Sequence, residues 1–347
     1  MSKIKKCFRA VLVLALVTSA IITQTGCSGN SEPVSGEGYY LDTICQITIY
    51  TMEGMNQSAA ESTIDGAFEV CEKYESMLSK TIEGSEIYKI NHAGGEPVEC
   101  STETVELIKK ALGYCELSGG RFDITIGQVT DLWDFHSEDP KLPDPDELAE
   151  SVKHVDYHMV TIDGNKVSLS DPEGEIDLGA IAKGFIADKL GEYLRAQGVT
   201  GAVIDLGGNI SVVGYKDGKE TDVRVGIKKP FTQTGEIIGV VSAHDASLVT
   251  SGTYERCFEI DGKLYHHILD VDTGQPVDTD LDSVTIIGGR SDGADCDALA
   301  TVCLILGKDE GYELIESIPE YEAVFVCTDG TVVTTSGVEN FTLSEDS

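Results

Sequence analysis

The stretch that most constrains this chain is 177–188, with the sequence DLGAIAKGFIAD. It predicts the end of a strand at 174–178, a turn of small residues, and a helix with Lys183 in its first turn. Small residues allow a ligand or another backbone to come close. The N–H groups of a first helical turn lack partners within the helix and favour an anion. We therefore expect a phosphate-bearing ligand here; the alternative is a tight connection with one solvated lysine.

The charge balance excludes one class of partner. The 347 residues include 60 acidic and 25 basic ones, for a net charge of −35. Non-specific nucleic-acid binding depends on Lys and Arg that neutralise phosphates, so we expect no nucleic-acid partner. An acidic protein that binds a phosphorylated ligand needs local positive charge, from a metal ion or from a few placed lysines and arginines.

The N-terminus predicts export. A basic start precedes an apolar run, 10–22, which is too short for an ordinary transmembrane helix. The following Thr-Gly-Cys resembles a bacterial lipoprotein cleavage box, although Gln24 stands where an aliphatic residue is usual. We predict a signal peptide over 1–26 and a cell-membrane lipoprotein on the extracytoplasmic side, with its lipid anchor at Cys27. The alternative is an ordinary signal or an uncleaved anchor. Residues 27–38, rich in Ser, Gly, Glu and Pro, predict a flexible tether.

The rest of the chain predicts an α+β (mixed α/β) fold. Segments with helical spacing, such as 57–78 and 102–118, alternate with β-rich segments and turn residues. The segment 121–127 predicts an irregular strand. Since no repeat and no linker interrupts the pattern, we predict one large domain over 39–347, with central mixed or antiparallel sheets flanked by helices.

Asp297 and Thr301 form the first candidate site. They lie four residues apart on a predicted helix, so both oxygens face one side, whereas Asp295 points elsewhere. A carboxylate and a hydroxyl suit a partial shell for Mg²⁺, which keeps other positions for water and phosphate oxygens. The alternative is a capping aspartate and a core threonine.

His267 is the second candidate. It lies near Asp270 in HILDVDTGQP, and a histidine close to an acid can act as a general base. His266 should point to the opposite face of the strand. The alternative is a histidine satisfied by structural hydrogen bonds.

A third candidate is the segment SGTYER, in which Ser251 and Arg256 could bind a polar edge of a ligand; a simple turn is the alternative. The segment LGGN at 206–209 puts two glycines at a strand end, where ligands gather in α/β sheets. The scattered cysteines give no support to a zinc site, and several fit apolar patterns as small buried hydrophobes.

Taken in order, these motifs resemble the FAD:protein FMN transferase (ApbE, flavin transferase) family. The resemblance extends over about 39–307. Its motifs are FDITIG with LWDF, DLGAIAKGFIAD, LGGN, SGTYER, HILDVDTGQP and DALAT. Each motif is weak alone, but six in order behind a lipoprotein-like leader form a specific signal.

The resemblance implies an exported Mg²⁺-dependent enzyme with an ApbE-like (T-fold-like) architecture. Such enzymes split FAD, their substrate, and attach FMN through a phosphoester to a Thr or Ser of an acceptor protein, with release of AMP. A membrane redox subunit is the acceptor that the family suggests. In this family the physical demand is charge neutralisation and in-line positioning at a pyrophosphate.

By similarity, Asp297, Thr301 and the main-chain carbonyl of Ala180 would hold the metal, and His267 would be the catalytic histidine. The residues expected to bind FAD are Leu41, Arg121, Phe122, Asp123, Asp177 and Lys183, joined by Ser251 and Arg256 from the segment above.

The chain departs from the family pattern at four places. Val271 and Ile124 replace common prolines, Thr81 stands where Tyr is frequent, and 41–43 is Leu-Asp-Thr where Met-Gly-Thr is common. These departures concern flavin contacts and no proposed metal ligand. Two other functions remain open: an FAD-binding lipoprotein with FAD pyrophosphatase activity that forms FMN and AMP without an acceptor, and a solute-binding lipoprotein of a transporter.

Overall fold

The computed structural model describes residues 32–135, 137, 139–232 and 235–344, together with the backbone of a two-residue strand, Lys5–Lys6. The predicted signal peptide, and Cys27 with it, otherwise lies outside the described residues. No helix in the described part of the chain is both long and apolar enough to span a membrane.

Eight α-helices and seventeen strands make up the described fold. The helices are α1 (Gln57–Leu78), α2 (Glu86–Asn91), α3 (Thr102–Leu117), α4 (Gly127–Trp133), α5 (Pro145–Ser151), α6 (Ala182–Ala196), α7 (Gly293–Leu306) and α8 (Lys308–Glu316). The strands are β1 (Lys5–Lys6), β2 (Val34–Tyr40), β3 (Thr43–Met52), β4 (Val98–Glu99), β5 (Val160–Asp163), β6 (Lys166–Leu169), β7 (Val199–Leu206), β8 (Asn209–Gly214), β9 (Val223–Lys228), β10 (Ile237–Ala243), β11 (Ala246–Gly252), β12 (Cys257–Ile260), β13 (Lys263–His266), β14 (Leu281–Gly289), β15 (Glu322–Cys327), β16 (Val332–Thr334) and β17 (Phe341–Leu343).

One eight-stranded sheet organises the molecule. Its strand order is β16-β15-β14-β11-β8-β7-β3-β2, and every pairing within it is antiparallel. Helices α1, α6 and α7 cover one face of this sheet. Three smaller sheets surround it: β1-β12-β13, β17-β10-β9 and β4-β6-β5. The predicted α+β fold with antiparallel sheets and flanking helices is confirmed.

The main core lies between the large sheet and its helices. Alternate residues of β3, such as Ile47 and Ile49, are fully buried there with Ile186 and Leu190 of α6. A second core beneath α7 packs against β14 and β15. The eight cysteines of the described part are all buried, as expected for small apolar side chains.

Three local predictions were wrong. Residues 34–38 of the predicted tether belong to β2, which pairs with β3 along its whole length and packs Gly36 against Ile64 of α1. The segments 121–127 and 174–178 are not strands. They run side by side and share only a parallel bridge, Ile126 to Glu175, because neither pairs with a sheet edge.

The crossing of α6 and α7 brings two backbones into contact. A Cβ added to Gly184 would stand 2.0 Å from the carbonyl oxygen of Gly293. The carboxylate of Asp188 accepts hydrogen bonds from the N–H groups of Gly293 and Ala294, at 2.9 and 3.1 Å, so it caps α7. Gly184 and Asp188, which both belong to the segment DLGAIAKGFIAD, therefore fix where α7 begins.

We expect Gly184→Ala to destabilise the protein by about 2–3 kcal/mol, because the new methyl must push two helix backbones apart. The matched control is Gly113→Ala, also within a helix, where an added Cβ meets nothing within 4 Å. That change should stabilise the protein by about 0.5–1 kcal/mol, through the lower entropy of the unfolded chain. Urea midpoints of both variants test this, and equal midpoints would refute the close contact.

Candidate active site

Asp177 is held in the turn that opens the site. Its Oδ1 accepts a hydrogen bond from the N–H of Gly179 at 2.8 Å, and its Oδ2 accepts one from Thr130 Oγ1 at 3.0 Å. Lys80 Nζ lies 3.4 Å from the same Oδ2. Burial acts to raise the pKa of Asp177, but Lys80 and the two hydrogen bonds outweigh it and the pKa is lowered. This carboxyl is therefore ionised at neutral pH.

Asp297 is the buried carboxylate of the site, with 1% of its surface exposed. Its Oδ2 accepts a hydrogen bond from the N–H of Gly184 at 2.9 Å. Its Oδ1 accepts one from Asn209 Nδ2 at 3.3 Å and lies 3.8 Å from Lys183 Nζ. Because a buried charge needs such partners, this arrangement fixes the orientation of the carboxylate before any ligand binds.

The start of α6 therefore differs from the prediction in one respect. An anion does lie at this helix N-terminus, but the N–H of Gly184 is bonded to Asp297 of the same chain. Lys183 Nζ donates a hydrogen bond to the carbonyl oxygen of Gly179 at 3.2 Å. A positive charge thus lies between the glycine turn and Asp297, where it can attract a phosphate oxygen.

The predicted metal ligands lie on the two elements that meet at Asp297. Thr301 Oγ1 donates to the carbonyl oxygen of Asp297 at 3.4 Å, which puts both side chains on one face of α7. Ala180 lies in the turn between Gly179 and α6. Asp295, which was predicted to point elsewhere on the helix, pairs with Lys110 and Tyr114 of α3, at 2.6 and 2.7 Å.

The oxygen donors around Asp297 suit a hard cation. Asn209 Oδ1 is buried without a hydrogen-bond partner. No group of three or more His, Cys, Asp or Glu side chains in the described residues could hold a metal. Mg²⁺ needs no such group, because it is usually bound by one or two carboxylates with water and substrate phosphates. The donor set therefore fits Mg²⁺ better than a zinc-like ion.

His267 follows β13 and is half-buried, and its buried Nδ1 has no hydrogen-bond partner. Its pKa is lowered well below the ordinary value, first by burial and then by the positive charges of Arg256 and Lys183. Its main-chain N–H donates to the carbonyl oxygen of Arg256 at 3.1 Å. The imidazole is thus neutral at pH 7 and has a free nitrogen that can accept a proton.

The predicted pairing of His267 with Asp270 is not formed. Asp270 Oδ1 accepts hydrogen bonds from the N–H and the hydroxyl of Thr273, at 2.8 and 2.7 Å. It shapes the turn, whose Gly274 carbonyl accepts the indole N–H of Trp133 at 2.6 Å. Asp270 is therefore a structural residue: an aspartate three residues before a threonine in a tight turn bonds locally first.

The SGTYER segment reaches the site through a residue that sequence reasoning missed. Burial raises the pKa of Glu255 to about 7, against the charges of Lys183 and Arg256. A Cβ on Gly208 would stand 3.5 Å from Glu255 Oε1, so the LGGN and SGTYER turns touch. Ser251 is buried within β11.

Comparison with known proteins decides the family. The sequence model of the ApbE family matches residues 41–325. The chain belongs to the ApbE family. A Treponema pallidum protein named FAD:protein FMN transferase is 36% identical over 315 residues, covering 86% of this chain and 85% of the relative. A Klebsiella pneumoniae protein of the same name is 36% identical over 279 residues, covering 80% and 85%.

Solved ApbE structures share the fold. The ApbE protein from Thermotoga maritima superposes with a TM-score of 0.78 at 30% identity, covering 88% of this chain and 97% of that one. The flavin transferase ApbE from Vibrio cholerae gives 0.77 at 28% identity, covering 89% and 98%. A single mixed α/β domain with antiparallel sheets is therefore the ApbE architecture of this chain.

Three residues that the ApbE resemblance assigns to FAD have other partners here. Arg121 pairs with Glu310 on the surface, and the side chain of Phe122 is buried in the main core. Asp123 Oδ1 accepts from Thr125, and its Oδ2 accepts the N–H of Tyr157 at 2.7 Å. The segment still borders the site, because the carbonyl of Ile124 accepts the N–H of Asp177 at 2.7 Å. Their role as FAD contacts stays a prediction.

A cleft beside Asp123 links this segment to the HILDVDTGQP loop. It is also lined by Gly120, Tyr157 and Val271. Val271 stands in a position where the ApbE family often has proline. The cleft therefore joins the segment that contains Asp123 to the loop that follows His267.

Leu41 lies in the two-residue turn between β2 and β3. Leu41 and Asp42 have φ of 54° and 55°, a conformation that glycine adopts more readily. This explains why the ApbE pattern often has Gly where Asp42 stands. The following Thr43 lies against Gly207, so the turn borders the LGGN segment.

Besides Glu255, sequence reasoning missed Asn209 and Lys80. Asn209 was part of a recognised motif, but only the structure shows its amide on Asp297. Lys80 lies just after α1 in a polar segment, and its partners are distant in sequence. A lysine directly after a helix gave no signal that it would be buried.

The pH dependence of stability should report the buried histidines. Burial lowers the pKa of His266 from 6.5 to about 4, against a hydrogen bond with the backbone of Val277. Below pH 6.5 the unfolded chain gains a proton that the folded chain binds only near pH 4. The free energy of unfolding should therefore fall by about 3 kcal/mol for this group as the pH falls through that window.

Acids with raised pKa values, Glu255 and Asp188 among them, act in the opposite direction, so the measurement must compare wild type with a His266 variant. The raised pKa values of Glu255 and Asp188, about 7 and about 6, add stability as the pH falls. We expect the stability advantage of wild type over His266→Gln, from urea midpoints, to shrink between pH 7 and pH 4.5. A difference that is constant with pH would contradict the buried neutral His266.

Proposed function

We propose that this protein is an FAD:protein FMN transferase. It splits the pyrophosphate of FAD and attaches FMN through a phosphoester to a Thr or Ser of an acceptor protein, with release of AMP. The observation that carries this proposal is the meeting of three groups in one site. Lys183 lies 3.8 Å from the buried Asp297, and its charge also acts on the neutral His267. The names of the relatives in Treponema pallidum and Klebsiella pneumoniae support it.

The residues have distinct tasks in this reaction. Lys183 and Arg256 supply positive charge for the diphosphate. His267 accepts the proton from the acceptor hydroxyl, whose oxygen forms a bond to the phosphorus of the FMN half. The bond from that phosphorus to the AMP oxygen breaks, and AMP leaves with the electron pair. The phosphoester bond replaces the pyrophosphate bond, so no oxidant or reductant is needed.

The low pKa of His267 is consistent with this task. Two cations near the imidazole, Arg256 and Lys183, weaken it as a base in the free protein. A bound diphosphate would offset both charges and raise the proton affinity of His267. The base therefore becomes stronger once the substrate is present.

We further propose that Mg²⁺ is the metal. Asp297, the Thr301 hydroxyl and the Ala180 carbonyl would hold it, with the unpartnered Asn209 Oδ1 close by. A bound Mg²⁺ would supply charge neutralisation on the phosphate oxygens. Asp297 is suited to this because Gly184 and Asn209 fix its orientation.

An FAD pyrophosphatase without a protein acceptor would use the same site with water as nucleophile. The similarity to proteins named FAD:protein FMN transferase favours transfer to protein. A pure FAD-binding protein would have no use for a neutral base whose neighbouring lysine also faces a buried carboxylate.

The decisive experiment incubates the purified full chain with FAD, Mg²⁺ and an acceptor domain that carries a Thr. We expect a mass gain of one FMN on the acceptor. FMN and AMP without modified acceptor would instead support the pyrophosphatase.

Two variants test the site residues. His267→Ala should lower the transfer rate by about 10²–10⁴-fold, because the acceptor hydroxyl loses its base. Asp297→Asn should abolish the Mg²⁺-dependent rate. The matched control is Asp295→Asn on the same helix, whose carboxylate faces Lys110 and Tyr114, and it should keep a rate close to wild type. Full activity of His267→Ala would remove the base from this mechanism.

We also propose that the protein is exported and anchored to the outer face of the cell membrane by a lipid on Cys27. The basic and apolar leader and the Thr-Gly-Cys box support this. An acceptor in a membrane redox subunit would then be within reach. In detergent phase partition, wild type should enter the detergent phase and Cys27→Ser the aqueous phase. Identical partition of the two proteins would contradict a lipid on this residue.

A further inference from the structure

Lys80 is a largely buried cation whose hydrogen-bond partners all belong to the protein. Its side chain is 14% exposed. Nζ donates to the carbonyl oxygen of Gly127 at 2.8 Å, to Thr130 Oγ1 at 2.8 Å and to Asp131 Oδ1 at 2.6 Å. Because an ammonium has three protons, these bonds use all of them. Lys80 therefore has no proton left for a ligand.

The charge of Lys80 acts on Asp177. Nζ lies 3.4 Å from Asp177 Oδ2, and the same Thr130 hydroxyl contacts both residues. The two other carboxylates near this ammonium belong to Asp131 and Glu175, so the local charge is negative without Lys80. Burial alone would favour a protonated Asp177.

Asp177 still has lone pairs free for a ligand. It accepts one hydrogen bond at each oxygen, from Gly179 and Thr130, whereas an ionised carboxylate offers about four acceptor positions. A protonated Asp177 would instead present an O–H donor. The protonation state therefore decides whether Asp177 accepts or donates a ligand hydrogen bond.

We propose that Lys80 is a positioning residue that keeps Asp177 ionised and fixed, so that Asp177 accepts an N–H or O–H of FAD. This inference rests on FAD as the ligand of the proposed function. Lys80 touches no reacting atom and acts only through Asp177. Lys80 follows α1, and its contacts with Gly127 and Asp177 connect that helix end to the start of α4 and to the turn at 177–180.

The test measures FAD affinity by flavin fluorescence, on the purified full chain in detergent with Mg²⁺ present. Lys80→Met should weaken FAD binding about tenfold or more, as expected when a charged hydrogen-bonding group is lost from its place. KM for FAD should rise more than kcat falls. Lys80→Arg should restore most of the affinity. The matched control is Lys73→Met on α1, where the lysine is 58% exposed and 3.9 Å from Glu103, and it should bind FAD like wild type.

A double-mutant cycle separates positioning from simple structural support. If Lys80 acts through Asp177, then Lys80→Met should change the FAD affinity of Asp177→Asn far less than that of wild type. Additive effects of the two changes would overturn the proposal, as would wild-type affinity in a folded Lys80→Met variant. If Lys80→Met alone is too unstable to assay, Lys80→Gln, which keeps two N–H donors without the charge, replaces it in the same cycle. Additive effects of Lys80→Gln and Asp177→Asn would overturn the proposal in the same way.

These outcomes differ from a failure of the proposed function. If wild type binds FAD but never modifies an acceptor, the proposed transferase function is refuted. The double-mutant cycle of Lys80 and Asp177 would still test the positioning role, because it measures only FAD affinity. Wild type that binds no FAD would refute both.

Discussion

The close crossing of α6 and α7 is the constraint on which the site depends. Gly184 and Gly293 put the two backbones in contact, and only at that distance can the N–H of Gly184 bond to Asp297. The same contact lets Asp188 cap α7. A larger residue at Gly184 would separate the helices and remove one of the two hydrogen-bond donors of the buried Asp297. The small residues of DLGAIAKGFIAD are therefore needed for helix packing as well as for ligand access.

Although the chain is strongly acidic, a few lysines in fixed positions give its site local positive charge. Lys183 lies between the glycine turn and Asp297, and Lys80 lies beneath Asp177. Each lysine is largely buried and bonded, so little order must be gained when a ligand binds. The net charge of −35 therefore says little about the local field of the site, which depends on where single lysines are placed.

Elements and motifs could be predicted from the sequence, but side-chain partners could not. The periodicity of α1 and α3 gave their bounds within a residue or so, and the i, i+4 spacing of Asp297 and Thr301 gave their common face. Asp270 was paired with the wrong residue, because the bond of an aspartate to its own turn competes with a nearby histidine. The partners of Lys80 are far along the chain, and no local pattern encodes such a contact. Segment 121–127 has strand-forming residues, yet no free sheet edge lies beside it.

The order of events in the site follows from its charges. Without substrate, burial and two cations keep His267 neutral and weakly basic, while Lys183 is balanced in part by Asp297. In the proposed reaction, a diphosphate would bring the negative charge that these cations lack, so the binding step that positions the phosphorus would also strengthen His267 as a base. Glu255, whose pKa lies near 7, can take up a proton as that negative charge enters. Under this proposal, substrate binding and base activation would be one electrostatic event, and without FAD the weakly basic His267 would activate little water.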